Sequence, residues 1–272
     1  MSLLYQKIIQ RAPSRYRSPL FSAVSLLSSQ GKTKASVNGL QTWLDLNESI
    51  QRSMYLGVYE PTQTAWFKEC VKAGDVFFDV GANFGHYTSL ASGVVGNTGR
   101  VYAFEPSPKA NQTIEDMIAL SKVDNITLVK AALGKEKGTA TLYMPNTDGL
   151  HSPSIMKSDD DFKPIEIPVI SLDDYATEQN IQTVKLMKID VEGYEPNVLD
   201  GMTRLLAERR VQNVFCEFNS WWLEQNGYTS KMLYDRFIRA GFKVHKQTDL
   251  QENLIGHKGV TFSLQDIWFT LS

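Results

Sequence analysis

The chain has 272 residues, of which 42% are hydrophobic, and a formal net charge of only −2. This length and apolar content allow a core of ordinary size. The near-neutral total excludes a protein that binds nucleic acid through its overall charge. We therefore expect no nucleic-acid partner, and the sequence predicts no particular oligomeric state.

The first part of the chain is basic. Residues 1–44 contain six Lys or Arg residues and no Asp or Glu. Such a start is typical of an organelle transit peptide or of a helix that contacts a membrane surface, with a solvated helix packed on the domain as the alternative. No apolar run approaches about 20 residues, so we expect no transmembrane segment. Cys70 and Cys216 are far apart without a second pair, which favours a reducing compartment, and we expect a cytoplasmic protein.

From residue 76 onward, short apolar runs alternate with longer helical patterns. We predict strands over 76–80, 100–105, 126–131, 184–190, 211–218 and 241–247, and helices near 84–93, 108–121, 195–208 and 228–240. This alternation predicts an α/β fold, a mostly parallel sheet with helices on both faces. The C-terminal "VTFSLQDIWFTL" follows a strand without room for a crossover helix, so it must run antiparallel to its neighbour.

Two stretches interrupt this alternation. Residues 1–72 look helical and predict an N-terminal helical cap in front of the main domain over 73–272. Residues 132–170 predict a β-hairpin insertion around a long polar loop, and long loops in compact domains tend to cover substrates. We therefore expect acceptor contacts from Ser152 and Ser154 in that loop.

The stretch "DVGANFGHYT", residues 79–88, comes directly after a predicted strand, where open α/β sheets bind their ligands. Gly81 and Gly85 let the backbone turn sharply and approach a ligand. Asp79 would repel a pyrophosphate but hold an ammonium group. The next acid, Glu105, ends the second strand and is placed to accept both hydroxyls of a ribose.

A ligand with a ribose and a positive charge fits these two acids. S-adenosylmethionine has both, with its amino-acid end toward Asp79 and its adenosine end toward Glu105. NAD fits less well, because "GANFG" departs from the G-x-G-x-x-G pattern of dinucleotide sites. A nucleotide-dependent oxidoreductase is the corresponding alternative.

The ordered motifs "DVGAN-x-G", "FEP-x-P" and "KIDVEG-x-E" resemble those of the FkbM family of S-adenosylmethionine-dependent methyltransferases, over residues 55–248. The resemblance implies the seven-stranded, Rossmann-like class I methyltransferase sheet, whose last strand is antiparallel. It also implies a cofactor site, with Asn83 replacing the middle glycine of the broader class I pattern. The residues that it assigns to this site are Asp79, Gly81, Ala82, Asn83, Glu105, Ala131 and Ala132. Gly85 of the turn, Pro106 after Glu105 and Asp190 at the same sheet edge complete our candidate cofactor residues.

Methyl transfer to a hydroxyl group requires that the methyl donor and the acceptor oxygen are aligned, and that a nearby group accepts the hydroxyl proton. Asp190 and Glu217 follow predicted strands at the cofactor edge of the sheet, and His86 follows the glycine turn. These three are the candidate catalytic residues. For each, a structural role is the alternative: Asp190 could bind cofactor or cap amides, and His86 could simply pack.

Two further groups could contribute to the site. Asp190, Glu217 and Asn219 offer the oxygen ligands that a Mg²⁺-type ion prefers, although spacing alone favours no metal. Trp221 and Trp222 could stack on an acceptor, or could belong to the core.

We predict an S-adenosylmethionine-dependent methyltransferase. A hydroxyl acceptor on a sugar, glycan or secondary metabolite is implied by the resemblance. N-methylation of an amine or peptide is the nearest alternative, and a cofactor-binding module without turnover is another.

Overall fold

The structure is a computed structural model, and it describes residues 6, 7, 10, 11, 13, 19, 31–145, 155, 162–255 and 261–272. The strands are β1 (Lys32–Val37), β2 (Leu40–Asp45), β3 (Val76–Val80), β4 (Arg100–Phe104), β5 (Ile126–Val129), β6 (Ala132–Leu133), β7 (Gly138–Pro145), β8 (Phe162–Ile170), β9 (Leu186–Ile189), β10 (Asn213–Asn219), β11 (Phe242–Gln247), β12 (Gln251–Ile255) and β13 (Thr261–Leu271). The helices are α1 (Ser49–Leu56), α2 (Pro61–Cys70), α3 (His86–Val95), α4 (Pro108–Ser121), α5 (Leu172–Glu178), α6 (Glu195–Asp200), α7 (Thr203–Ala207), α8 (Ser220–Gln225) and α9 (Ser230–Arg239).

The central sheet has the strand order β11-β13-β10-β9-β3-β4-β5, with β12 paired beside β13. The strands β10, β9, β3, β4 and β5 are parallel, and β13 runs antiparallel to both β10 and β11. The predicted mostly parallel sheet with an antiparallel last strand is therefore confirmed. The carboxyl ends of β3, β4, β9 and β10 meet at one edge, which is where the fold positions a ligand site.

Helices cover both faces of this sheet, because its central strands are apolar on both sides. On one face, Phe77 of β3 packs with residues of α2 and α3. On the other face, Phe78 packs with residues of α5 to α9. The helix predicted over 195–208 is two helices, since the Asp173 carboxylate accepts the backbone N–H groups of Arg204 and Leu205 and starts α7 separately.

The N-terminal region is not entirely helical. The helical prediction for 1–72 is confirmed for α1 and α2 and wrong for 32–45, where β1 and β2 form an antiparallel hairpin. Its turn is Asn38-Gly39, with φ of 49° and 96°. Positive φ at both central residues matches the twist of the strands and makes this dipeptide a common hairpin turn.

This hairpin packs on α4, where the Thr42 hydroxyl donates to the Thr113 carbonyl at 2.8 Å. Together with α1, it packs on Phe84 of the glycine turn. The N-terminal region thus forms part of the wall above the sheet edge.

The predicted insertion is confirmed as a hairpin. β7 pairs with β8 in antiparallel register, and β6 adds to β8 in parallel. Ser152 and Ser154 lie outside the described residues, so their predicted acceptor contacts stay predictions. Among the described residues, no helix has the length and apolar content needed to cross a membrane.

Candidate active site

The turn after β3 approaches the end of β9 more closely than a side chain would allow. Gly81 has φ of 80°, and a Cβ added there would lie 1.9 Å from the Asp190 carbonyl oxygen. The N–H groups of Gly81 and Ala82 both donate to the Phe104 carbonyl, at 3.0 and 3.2 Å. Glycine is therefore required at position 81, because the backbone of the turn rests directly against the neighbouring strand end.

The Glu105 carboxylate holds the next part of the turn. It accepts the Asn83 N–H at 2.7 Å and the Ser107 N–H at 2.8 Å. Asn83 has φ of 48°, a left-handed conformation that asparagine tolerates better than most residues. Burial raises the pKa of Glu105 to about 7, and the two N–H donors oppose that increase. A carboxylate has about four acceptor positions, so two remain for a ligand.

A cavity of about 300 Å³ opens at this edge of the sheet. It brings together nine of the ten predicted cofactor residues. These are Asp79, Gly81, Ala82, Asn83, Glu105, Pro106, Ala131, Ala132 and Asp190. Gly85 is not among the lining residues; its φ of 81° starts α3, and an added Cβ would lie 3.0 Å from Ile114. Gly85 thus serves the packing of α3 on α4.

Lys188 is the central cation of the cavity. It lies beside Asp79 in the β3–β9 register, and its Nζ is 2.7 Å from the Asp190 carboxylate. Burial raises the pKa of Asp79 to about 6, against the opposing effect of Lys188. Burial would lower the pKa of Lys188, but the attraction of Asp190, Glu60 and Asp79 raises it.

The segment before α2 supplies a wall that sequence reasoning did not identify. Tyr59 and Glu60 line the cavity, and the Glu60 carboxylate accepts the Tyr87 hydroxyl at 2.6 Å. Glu60 itself takes a left-handed φ of 41°. No pattern in the sequence around "VYEPT" distinguishes this acid from an ordinary residue before a helix.

His86 faces the same wall at the start of α3. Its ring centroid is 5.0 Å from those of Tyr59 and Tyr87, and its Nε2 is 3.2 Å from the Thr64 hydroxyl. The side chain is buried, and its Nδ1 has no hydrogen-bond partner within the described part of the chain. Burial lowers the pKa of His86 to about 4, helped by Lys188 and Lys68. The imidazole is therefore neutral at pH 7 and able to accept a proton.

Glu217 lines the cavity at the end of β10, directly opposite Asp266 in the antiparallel pair with β13. Asp266 accepts the Gln63 side-chain amide at 2.6 Å. The Glu217 carboxyl group makes no hydrogen bond or ion pair to any residue that the structure describes. Burial, then the nearby charges of Asp190 and Glu192, raise the pKa of Glu217 well above its ordinary value.

The loop after β9 is held by Glu195. Its Oε1 accepts the N–H groups of Val191 and Gly193 at 3.1 and 3.2 Å, whereas its buried Oε2 has no partner among the residues described. Burial raises the pKa of Glu195 from its ordinary value of 4.5 to about 7. This carboxyl fixes the loop that carries Asp190 and Glu192.

A pH dependence of stability follows from Glu195. Because its pKa is higher in the folded chain, its contribution is fully present below pH 4.5 and is lost as the pH rises through about 7. We expect the free energy of unfolding to fall between pH 6 and pH 8, and to fall less in Glu195→Gln. Urea unfolding at both pH values measures this. Glu136→Gln, at an exposed position, is the control; an equal pH effect in both variants would contradict the assignment.

Three predicted residues are not brought to the cavity. The Asn219 side chain accepts the Trp222 N–H and starts α8, and neither Trp221 nor Trp222 lines the cavity. Within the described residues, no group of three or more His, Cys, Asp or Glu side chains could hold a metal ion. Of the candidate metal ligands, Asp190 and Glu217 line the cavity, whereas Asn219 caps α8 and does not.

Comparison with known proteins gives a family match over more than half of the chain. The model of the "Methyltransferase FkbM domain" matches residues 79–244. Methyltransferase 1 of Beauveria bassiana is 30% identical over 46% of this chain and 57% of its own length. Hexuronic acid methyltransferase AglP of Haloferax volcanii is 29% identical over 48% of this chain and 52% of its own length. The matches thus span just over half the length of these curated relatives. A crystal structure of methyltransferase FkbM from Methylobacillus flagellatus is 14% identical, with a TM-score of 0.43, over 97% of this chain and 57% of that one.

Proposed function

Because this chain belongs to the FkbM methyltransferase family, we propose that it transfers a methyl group from S-adenosylmethionine to a hydroxyl group of a sugar, glycan or other small molecule. The observation that carries the proposal is a single cavity lined by the glycine turn, by Glu105 and by His86, whose buried Nδ1 has no partner among the described residues. The first two suit the donor, and the third suits the acceptor.

The residues present fit the donor. The missing side chain at Gly81 leaves a cradle that a Cβ would fill, and Asp79 supplies negative charge beside it. Glu105 keeps two acceptor positions for ribose hydroxyls. Ala131 and Ala132 offer a small apolar surface for adenine. When bound, S-adenosylmethionine supplies a methyl group activated by its attachment to a positively charged sulfur.

The chain's own residues then orient the acceptor and receive its proton. The acceptor oxygen forms a bond to the methyl carbon as the carbon–sulfur bond breaks, and the hydroxyl proton must leave. His86 Nδ1 can accept that proton, because the imidazole is neutral and buried and because Nδ1 has no partner among the described residues. A weak base suffices, since an alcohol that has gained a methyl group is a far stronger acid than imidazolium.

A sugar acceptor has support from the similarity to a hexuronic acid methyltransferase. The cavity wall adds to this support, because aromatic rings and carboxyl groups together form a surface suited to a polyhydroxyl ligand. Tyr59, Tyr87 and Glu60 form such a wall.

The donor assignment is tested by binding. We expect Glu105→Gln to weaken binding of S-adenosylhomocysteine by about 10- to 100-fold, because the amide loses a charged acceptor and turns a donor toward a backbone N–H. Isothermal titration calorimetry measures this, with Glu136→Gln as the matched control at an exposed site. Equal affinity in both variants would remove Glu105 from the donor site.

Turnover is tested with methyl-labelled donor and fractionated cell extract. Label on an acceptor oxygen supports the proposal. N-methylation is the second candidate, because the acidic wall around Glu60, Asp190 and Glu217 would also attract a basic acceptor. Label on nitrogen would favour it. Donor binding without transfer to any fraction would instead indicate a binding module.

A further inference from the structure

The acceptor side of the cavity carries more negative charge than the protein neutralises. Glu60, Asp190 and Glu217 line it, and Asp266 lies across the strand pair from Glu217. Of the two lysines that line the cavity, Lys109 pairs with Glu48, and Lys188 pairs with Asp190 at 2.7 Å. At least one negative charge therefore lacks a counter-charge from the described residues when all four acids are ionised.

Glu217 is the acid in this group whose side chain has no partner among the described residues. The other acids have donors: the Tyr87 hydroxyl binds Glu60, and the Gln63 amide binds Asp266, each at 2.6 Å. Glu217 has no such donor in the described ranges. Like charges directly opposite each other in an antiparallel pair are destabilising, so Glu217 and Asp266 favour a proton or a cation between them.

A second, independent feature marks the same cavity as a ligand site. His86 is 9% exposed, and its Nδ1 is buried without a partner among the described residues. Buried polar atoms are almost always hydrogen-bonded in native proteins, so an orphaned nitrogen at a cavity wall indicates a missing ligand donor. The Tyr59 ring centroid lies 5.0 Å from that of His86, and burial, with a contribution from the negative charge of Glu217, raises the pKa of Tyr59. His86, Tyr59 and Glu217 all line the same cavity, so a ligand bound there has all three side chains around it.

We propose that the acceptor is a hydroxyl compound that also carries a protonated amine, as an amino sugar does, with its ammonium group bound by Glu217 and its hydroxyl directed at His86. This inference rests on the proposed function. A protonated amine has no free electron pair, so it is recognised and not methylated. A carboxylate-bearing acceptor would add charge to an acidic wall and be disfavoured, as like-charge contacts are at interfaces.

The test uses matched sugars that differ in charge. The probes are the methyl glycosides of glucosamine, N-acetylglucosamine and glucuronic acid, which are cationic, neutral and anionic. Each is titrated into the protein saturated with S-adenosylhomocysteine, and each is offered with labelled donor for methyl transfer. We expect the Kd of the glucosaminide to be lower than that of the N-acetyl compound by a factor of about ten or more. A hydrogen bond to a charged group contributes a difference of this size. We expect the glucuronide to bind weakest of the three.

A variant locates the ammonium group. Glu217→Gln should reduce the preference for the glucosaminide over the N-acetyl compound to within about threefold, since the neutral amide keeps the shape and loses the charge. Glu224→Gln removes the same charge from the exposed face of α8 and should leave the preference unchanged. S-adenosylhomocysteine affinity and melting temperature report whether each variant is folded.

The outcomes separate the two proposals. Failure of the wild-type protein to bind S-adenosylhomocysteine would overturn the proposed function itself. With that binding intact, equal or better binding of the N-acetyl compound, or no binding of any probe, would overturn the cationic acceptor. A preference that survives Glu217→Gln would overturn the assignment to Glu217. Label on the amine nitrogen would show that the ammonium is not the recognition group.

Discussion

Replacing Gly81 with alanine is expected to abolish cofactor binding and to lower the free energy of unfolding by about 2 to 5 kcal/mol. The added Cβ would lie 1.9 Å from the Asp190 carbonyl oxygen and 3.1 Å from the Val191 side chain, at a φ of 80°. The first contact is with backbone, so relief requires the turn and the end of β9 to separate. That separation would displace both Asp190 and the backbone amides of the turn, and both belong to the cofactor site.

Urea unfolding and calorimetric titration of S-adenosylhomocysteine measure the two effects. Gly138→Ala is the matched control, because a Cβ there meets no atom within 4 Å. A Gly81→Ala protein with wild-type stability and affinity within about threefold would contradict the close approach of these two strand ends.

Replacing His86 with asparagine is expected to lower kcat by about 10²- to 10⁴-fold, the usual contribution of a positioned base. Binding of S-adenosylhomocysteine should change by less than about threefold, because the cradle of Gly81 and Glu105 does not include the imidazole. The pKa of His86 lies near 4, so the imidazole is protonated and inactive only below that pH. The wild-type rate should therefore show no loss from His86 protonation between pH 6 and 8.

Steady-state kinetics with a saturating acceptor from the extract experiment measure this prediction. His245→Asn is the control, because it removes an imidazole from a half-exposed position beside Trp268. A kcat for His86→Asn near that of His245→Asn would mean that the proton leaves by another route, and His86 would then be a packing residue.

The sheet was predictable because its strands are both apolar and sharply bounded. β3 was predicted with its observed bounds, since "VFFDV" is followed at once by a glycine turn. α4 was predicted equally well, since Ser107 caps it and Pro108 occupies its first turn. The hairpin over 32–45 was missed, although Asn38-Gly39 between alternating residues is a strong turn signal. The basic, acid-free composition of residues 1–44 is typical of helices that contact membrane surfaces and so favoured the helical interpretation.

The donor half of the cavity was predictable from motifs, whereas the acceptor half was not. Asp79, Glu105 and Asp190 follow strands at one edge, so topology alone brings them together. Tyr59 and Glu60 precede a helix that lies outside the sheet, and only packing brings them beside His86. The Glu217 carboxyl lacks a hydrogen-bond partner because no donor side chain of the described residues packs within reach of it. This depends on the tertiary packing and cannot be predicted from the sequence around Glu217.

The N-terminal segment before β3 forms one wall of the cavity, and the turns after the strands of the central sheet form the opposite side. Glu48, Ile50, Met54, Tyr59 and Glu60 line the cavity, and all precede residue 79, where the family match begins. Part of the cavity wall is therefore encoded outside the stretch that the family match covers. The motifs of the matched stretch can therefore stay unchanged while the shape of this cavity changes, through substitutions in a short segment that precedes the match.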